Sequence, residues 1–293
     1  MSSADVTRAK IGSVASRVMR VRGKTLTLDG GPKMVGILNI TPDSFFDGRP
    51  DLSAEAALQR ALQMVDEGAA IIDVGGQSTR PGFVELDVAE EIARVVPVIE
   101  LLATSLAVPI SIDTYKPAVA RAAVAAGADI INDVHGFQCE PELAKIAAEH
   151  RCGVILMHND PEFRSVAGNT VARIAGFFAR SVAIALAAGV EREQLILDPG
   201  IGFGKTQEQN LEILGRLHEL KSPGCPLLLG ASRKSTIGNV LSLPVDERVE
   251  GTLATTALAV WQGVEFLRVH DVRANLRAAK MAAAIRNAHA HSS

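Results

Sequence analysis

Eight times between residues 35 and 287 the chain passes from a short apolar run, through a polar or glycine-rich turn, into an alanine-rich stretch with helical periodicity. The apolar runs are VGILNIT (35–41), AIIDVGG (70–76), PISIDT (109–114), DIINDV (129–134), GVILMH (153–158), LILDPG (195–200), PLLLGAS (226–232) and FLRVHD (266–271). The spacing predicts helices over 53–67, 87–103, 117–126, 141–149, 170–188, 207–220, 248–262 and 273–287. Ser53, Pro117 and Pro141 suit helix starts, and EGA (67–69), AGA (126–128) and QGV (262–264) place a glycine where three helices end. Apolar strands alternating with helices mean parallel strands covered on both faces. Eight such units in about 250 residues fit a closed (β/α)8 TIM barrel rather than an open sheet. Ahead of them TLTL alternates and is broken by Gly30-Gly31-Pro32, which predicts a short strand or hairpin extension. Residues 1–23 read as a partly flexible lead and 24–293 as a single barrel domain.

Composition narrows the function. With 47% hydrophobic and 22% charged residues the chain has the material for a large globular core. A net charge of −3 argues against a broad polyanion-binding face, and a single Trp and a single Tyr argue against a surface of stacked aromatics, so no nucleic-acid partner is expected. Cys139, Cys152 and Cys225 show no CxxC spacing, and the histidines have no metal-ligand spacing. No apolar run approaches the ~18 residues of a membrane span and the N-terminus lacks a secretory apolar block, so a cytoplasmic location is the expectation.

In a TIM barrel a polar residue at the C-terminal end of a strand stands at the mouth, where active sites are built. The runs here end in Asn39 and Thr41, Asp73, Asp113, Asn132, His158, Asp198, Lys234 just past the seventh run, and Arg268 with His270. Asp113, Asn132, Asp198 and Lys234 together offer acceptors and donors suited to the edge of a flat, nitrogen-rich heterocycle. Asn39, Arg268 and His270, from runs adjacent on closure, suit a diphosphate, since a guanidinium matches phosphate geometry. Plainer readings stand beside these. Asp113 also suits a turn cap toward Pro117, Asn132 and Asp133 can satisfy loop backbone, and Arg268 can pair with Asp271. Asp73 and His158 divide evenly between site and scaffold.

The stretch DPGIGFGKT (198–206) tests a different idea, because it resembles a nucleotide phosphate loop. The motif G-x-x-x-x-G-K-[ST] counted back from Gly204 requires a glycine where Pro199 stands. The motif fails, and Asp198 outside it becomes the informative residue.

In this order the segments GILNITPDSFFDG (36–48), IIDVGGQSTRPG (71–82), SIDT (111–114), INDV (131–134), DPGIGFGK (198–205), SRKS (232–235) and RVHD (268–271) resemble those of the dihydropteroate synthases, folate-pathway enzymes inhibited by sulfonamide drugs. The resemblance covers about residues 24–287. It implies condensation of 6-hydroxymethyl-7,8-dihydropterin diphosphate with p-aminobenzoate, giving 7,8-dihydropteroate and pyrophosphate. It implies that Asp113, Asn132, Met157, Asp198 and Lys234 hold the pterin. Asn39, Thr79, Arg80, Arg268 and His270 would hold the diphosphate, with Asn39 as ligand to a Mg²⁺ ion. Thr79, Pro81, Phe203, Lys234 and Ser235 would form the p-aminobenzoate pocket, with loops 41–45 and 78–82 closing over the site. Asp113, Asp198, Lys234, Arg268 and His270 would be the catalytic groups, with Arg268 and His270 on one side and the two carboxylates on the other. A homodimer is implied by the resemblance alone. Two departures stand out: Gln77 replaces the usual Glu, and NDPEFRSVAGN (159–169) replaces the usual glycine- and proline-containing loop. A pterin-binding paralogue without activity, or a methyltetrahydrofolate–corrinoid methyltransferase of the same superfamily, would share the heterocycle grip. The methyltransferase would have no use for the diphosphate groups.

Overall fold

The computed structural model describes residues 17–40, 54–77, 85–165, 168–222 and 224–290. A hairpin, β1 (Val18–Val21) and β2 (Lys24–Thr27), precedes the barrel strands. These are β3 (Lys33–Asn39), β4 (Ala69–Gly75), β5 (Ile110–Asp113), β6 (Ile130–Asp133), β7 (Gly153–Met157), β8 (Leu195–Asp198), β9 (Leu228–Leu229) and β10 (Phe266–Val269). Between and after them run α1 (Ala54–Asp66), α2 (Val88–Ser105), α3 (Pro117–Ala126), α4 (Glu142–Glu149), α5 (Thr170–Ala187), α6 (Gln207–Gly215), α7 (Ser235–Leu241), α8 (Val249–Trp261) and α9 (Val272–Ala290).

All neighbouring barrel strands are parallel, in the order β8-β7-β6-β5-β4-β3-β10-β9. The ring closes between β8 and β9 through a parallel bridge of Leu197 with Leu227, where Leu197 N donates to Pro226 O at 3.0 Å. The expected barrel is therefore present, and the hairpin begins at Val18, inside the stretch read from sequence as the lead.

Strand side chains alternate between two faces, and the register decides which face looks inward. Val35, Ile71, Ile130, Ile155, Ile196, Leu228 and Phe266 form one fully buried layer inside the ring, and Met19 and Val21 of the hairpin plug it from the N-terminal end. Arg22 fixes that plug by donating to the carbonyls of Val124 and Ala128. Burying each large apolar side chain contributes about 1.5–3 kcal/mol. Two residues further along, the same inward face carries Asp73, Asn132, Met157, Asp198 and Arg268, with Asn39 and Asp113 at the ends of β3 and β5. The barrel interior thus turns from apolar to polar toward the C-terminal ends of its strands. The outward face, including Ile72, Val74, Ile112, Leu156 and Leu197, packs on helices in a second cluster.

Local chemistry explains the helix ends. Pro117 opens α3, and Gly127 closes it with φ 118°, a left-handed conformation that suits glycine. Asn169 caps α5 by accepting from Ala172 N, and Thr206 forms a capping box with Gln209 on α6. Three details depart from the sequence reading. The helix expected over 207–220 ends at Gly215, and a short 3-10 turn follows over Leu217–Leu220. The run 226–232 yields only the two-residue β9. Helix α7 was not anticipated, because its STIGNVL mixes β-branched residues with glycine. Among the described residues α5 alone is long and apolar enough to cross a membrane, and it buries Val171, Ile174, Phe177, Phe178, Ser181, Val182 and Ala185 in this fold.

Candidate active site

The polar layer is organised around Arg268. Its Nε donates to Asp73 Oδ2 at 2.6 Å and its Nη2 to Asp113 Oδ2 at 2.7 Å. Asn132 Nδ2 donates to the same Asp73 oxygen at 3.2 Å. Asp73 is wholly buried, which makes an ionic partner obligatory. This corrects the expected separation of Arg268 from the carboxylates: the guanidinium lies among them. It also removes the pairing with Asp271, which instead takes two hydrogen bonds from Arg233, at 2.9 and 2.7 Å.

Several groups in this layer face inward without a partner. Asp73 Oδ1, Asp113 Oδ1 and Ser111 Oγ are buried and make no hydrogen bond among the described residues. Such groups cost free energy unless something donates to them or accepts from them. Gly230 follows β9 on the inward face, and a Cβ there would lie 3.4 Å from Asp198 Oδ2 and 3.8 Å from Arg268 Cβ. Glycine at that position leaves room between the two for a flat ligand.

Burial sets the protonation of the layer. It pushes the Asp113 carboxyl up to about 7 against the pull of Arg268, with Asp73 and Glu91 adding to the rise. Asp198 is also raised by burial, opposed by Lys234 and by the Gly200 N–H that bonds its Oδ1 at 2.8 Å. Burial brings Lys234 down to about 8 while Asp198 resists. Lys234 Nζ donates to Ile201 O at 2.5 Å and lies 4.5 Å from the centre of the Phe203 ring. Ser235 follows as the exposed first residue of α7.

At the rim, His270 Nδ1 and Ser232 Oγ are 3.0 Å apart, and Ser232 Oγ also accepts from His270 N at 3.2 Å. His270 follows β10, the neighbour of β3, whose last residue is Asn39, so the two rim groups expected for a diphosphate stand on adjacent strands. Thr79, Arg80 and Pro81, with Thr41 and the rest of the 41–45 loop, lie outside the described residues.

The structure assigns the uncertain residues. Asp133 serves its own loop, accepting from His135 N and Phe137 N. His158 is scaffold: it is 1% exposed, its ring meets Phe163 and Phe177 edge-on, and burial drives its pKa down to about 3. Gln77 uses both ends of its amide. Its Oε1 accepts from Lys116 Nζ and Leu86 N, both at 2.9 Å, and its Nε2 donates to Tyr115 Oη at 3.1 Å. Lys116 in turn pairs with buried Glu91 at 2.9 Å, and Glu91 accepts from Thr114 Oγ1 beside Asp113. Sequence reasoning passed over Ser111, Gly230, Glu91 and Lys116. The alternation of PISIDT does place Ser111 on the face of Asp113, but the contacts of the other three join distant segments.

Known proteins resemble this chain over nearly its whole length. The family model described as pterin binding enzyme matches residues 35–270. The dihydropteroate synthase of Clostridium beijerinckii is 47% identical over 266 residues, covering 90% of this chain and 97% of that one. The crystal structure of dihydropteroate synthase from Clostridium difficile, obtained in the presence of pteroic acid, has a TM-score of 0.83 at 47% identity and covers 87% of this chain and 97% of that chain. The Xanthomonas albilineans dihydropteroate synthase with 4-aminobenzoic acid has a TM-score of 0.87 at 41% identity, over 92% of this chain and 98% of that one. A barrel whose polar inner layer leaves oxygens of Asp73, Asp113 and Ser111 open is therefore found here with the sequence of a known group, and the chain belongs to the pterin binding enzyme family, among its dihydropteroate synthases.

Proposed function

We propose that the inner layer grips the pterin of 6-hydroxymethyl-7,8-dihydropterin diphosphate while the rim holds its diphosphate, so that p-aminobenzoate can displace pyrophosphate. The observation that carries this assignment is the trio of buried, unpartnered oxygens on Asp73, Asp113 and Ser111. A pterin edge supplies the ring N–H and amino donors such acceptors need. Asp113, Asn132, Asp198 and Lys234 hold the ring, with Met157, 4% exposed beside Asp198, beneath it. Asn39, His270 and Arg268 face the diphosphate, and the family resemblance adds Thr79 and Arg80. Phe203, Lys234 and Ser235, with Thr79 and Pro81, form the p-aminobenzoate site.

In the reaction the methylene C–O bond breaks and its electron pair leaves with pyrophosphate. The aniline nitrogen gives its lone pair to the methylene carbon and then loses a proton. The carbon becomes cationic as the bond breaks, so a weak neutral amine suffices as nucleophile. Asp113 and Asp198 stabilise the positive charge on the pterin, and His270, with the guanidinium N–H groups of Arg268 that Asp73 and Asp113 leave free, the departing anion.

A Mg²⁺ ion fits this donor set in one way. Among the described residues no group of three or more His, Cys, Asp or Glu could hold a metal, so the protein offers no complete cage. Mg²⁺ commonly keeps several waters and binds through one or two protein oxygens plus substrate phosphates. Asn39 Oδ1 would be the protein ligand. When bound, the ion would neutralise charge on the diphosphate.

Exposed Leu258, Trp261, Met281 and Ile285 on α8 and α9 support a homodimer through those helices, and sedimentation velocity would test it. The cytoplasm is the proposed compartment. The activity is tested by mixing purified protein with the pterin diphosphate, Mg²⁺ and p-aminobenzoate. Release of pyrophosphate that depends on p-aminobenzoate is expected, and pterin binding without release would reduce the chain to a binding protein.

A further inference from the structure

The loop from β8 to α6 is built around one ammonium group that the reaction does not use. Lys205 is 4% exposed, and its Nζ donates to Gly200 O at 2.8 Å, Phe203 O at 2.9 Å and His158 O at 3.2 Å. Three N–H groups meet three carbonyls, so the lysine's donor capacity is used in full. Gly200 and Gly204 have φ of 64° and 58°. A Cβ at Gly200 would come 2.1 Å from His158 O, and one at Gly204 2.6 Å from Asp160 O. The β8–α6 loop is thus laid backbone against backbone on the β7–α5 loop, with Lys205 supplying the donors between them. Burial brings Lys205 down to about 7 while Asp198 resists, so the charge is held at a cost.

The same loop carries Phe203, and a second lysine holds it next to these carbonyls: Lys234 bonds Ile201 O and covers the Phe203 ring. Asp198, by contrast, is fixed by the sheet, with His158 N donating to its carbonyl at 2.8 Å. Loss of the Lys205 bonds would free Phe203 while leaving Asp198 in its strand.

We propose that Lys205 is a positioning residue for the second substrate: by holding the carbonyls of Gly200, Phe203 and His158 it sets the Phe203 ring where p-aminobenzoate binds. The inference rests on the reading of Phe203 as a wall of that pocket. A merely structural lysine would loosen both substrates alike.

The test is a comparison of Lys205→Met and Lys205→Gln with the unmodified enzyme. For Lys205→Met, KM for p-aminobenzoate should rise at least ~10-fold, with kcat and the calorimetric Kd of 6-hydroxymethylpterin each within about threefold. Lys205→Gln, which keeps amide donors, should fall between the two. Equal shifts in KM and pterin Kd, or no shift in either, would overturn the assignment. Should neither variant fold, hydrogen exchange on the unmodified enzyme decides. The amides of Gly200, Gly202 and Phe203 should then exchange as slowly as those of β8, and exchange at loop-like rates would overturn it. Absence of turnover by the unmodified enzyme would count against the reaction itself, a different failure.

Discussion

Arg268 joins Asp73 to Asp113: its Nε and Nη2 reach the two carboxylates at 2.6 and 2.7 Å, spanning strands β4 and β5 from β10. A planar fork can do this and an ammonium cannot. Arg268→Lys should therefore lose most activity, and Arg268→Ala should destabilise the fold by about 3–5 kcal/mol by leaving two buried carboxylates without their partner. Adding Asp73→Asn should restore part of that loss, because one of the stranded charges is then gone. Urea unfolding of the two single variants and the double variant measures the coupling, and additive losses would show the pair to be independent.

The raised Asp113 gives the site a pH signature. With Oδ2 accepting from Arg268, only the carboxylate leaves Oδ1 without a proton to accept from a pterin N–H, and in the free enzyme it forms as pH rises through about 7. Lys234 loses its proton above about 8. Affinity for 6-hydroxymethylpterin, which lacks the titrating diphosphate, should rise through the first value and fall beyond the second. Asp113→Asn should abolish the rising limb and weaken binding by about 2–3 kcal/mol. Calorimetric titrations across pH 6–9 check both statements, and a flat profile for the unmodified enzyme would contradict them.

Gly230 makes a steric prediction. A methyl group there would stand 3.4 Å from Asp198 Oδ2, in the space assigned to the pterin. Gly230 is not among the positions with positive φ, so the backbone accepts alanine. Gly230→Ala should weaken pterin binding about 10-fold or more, a loss of at least ~1.4 kcal/mol, while leaving thermal unfolding nearly unchanged. Calorimetry and a melting curve on the same sample separate loss of space from loss of fold.

Much of this site could be read before the structure, for a physical reason. Parallel strands put their C-terminal ends at one mouth, so Asn39, Asp113, Asn132, Asp198 and Arg268 could be grouped without knowing any distance. What the sequence left open was pairing. Arg268 and Asp73 lie 195 residues apart and meet only because β10 closes against β3 beside β4. Asp271, three residues from Arg268, looked like the nearer partner, but the side chain of residue 268 points into the barrel and Asp271 bonds Arg233. Lys205 shows the opposite case. Its neighbours imitate a phosphate loop, yet one of its acceptors, the carbonyl of His158, comes from another loop 47 residues away.

His158 carries the last prediction, which concerns stability. It sits among Phe163 and Phe177 and is held neutral, its pKa brought down to about 3 by burial and by Lys205. Unfolded, it titrates near the ordinary histidine value of about 6.5. Between those two values the unfolded chain binds more protons than the folded one, so folding stability falls as pH drops below 6.5. From pH 7 to pH 5 the cost of keeping this ring neutral is about 2 kcal/mol. His158→Phe removes the titration and keeps an aromatic ring in place. The unfolding free energy of the variant relative to the unmodified protein should therefore improve by about 2 kcal/mol between pH 7 and pH 5, whatever its value at pH 7. Parallel urea titrations at the two pH values measure that difference, and equal pH dependence in both proteins would show that His158 is not the buried neutral group described.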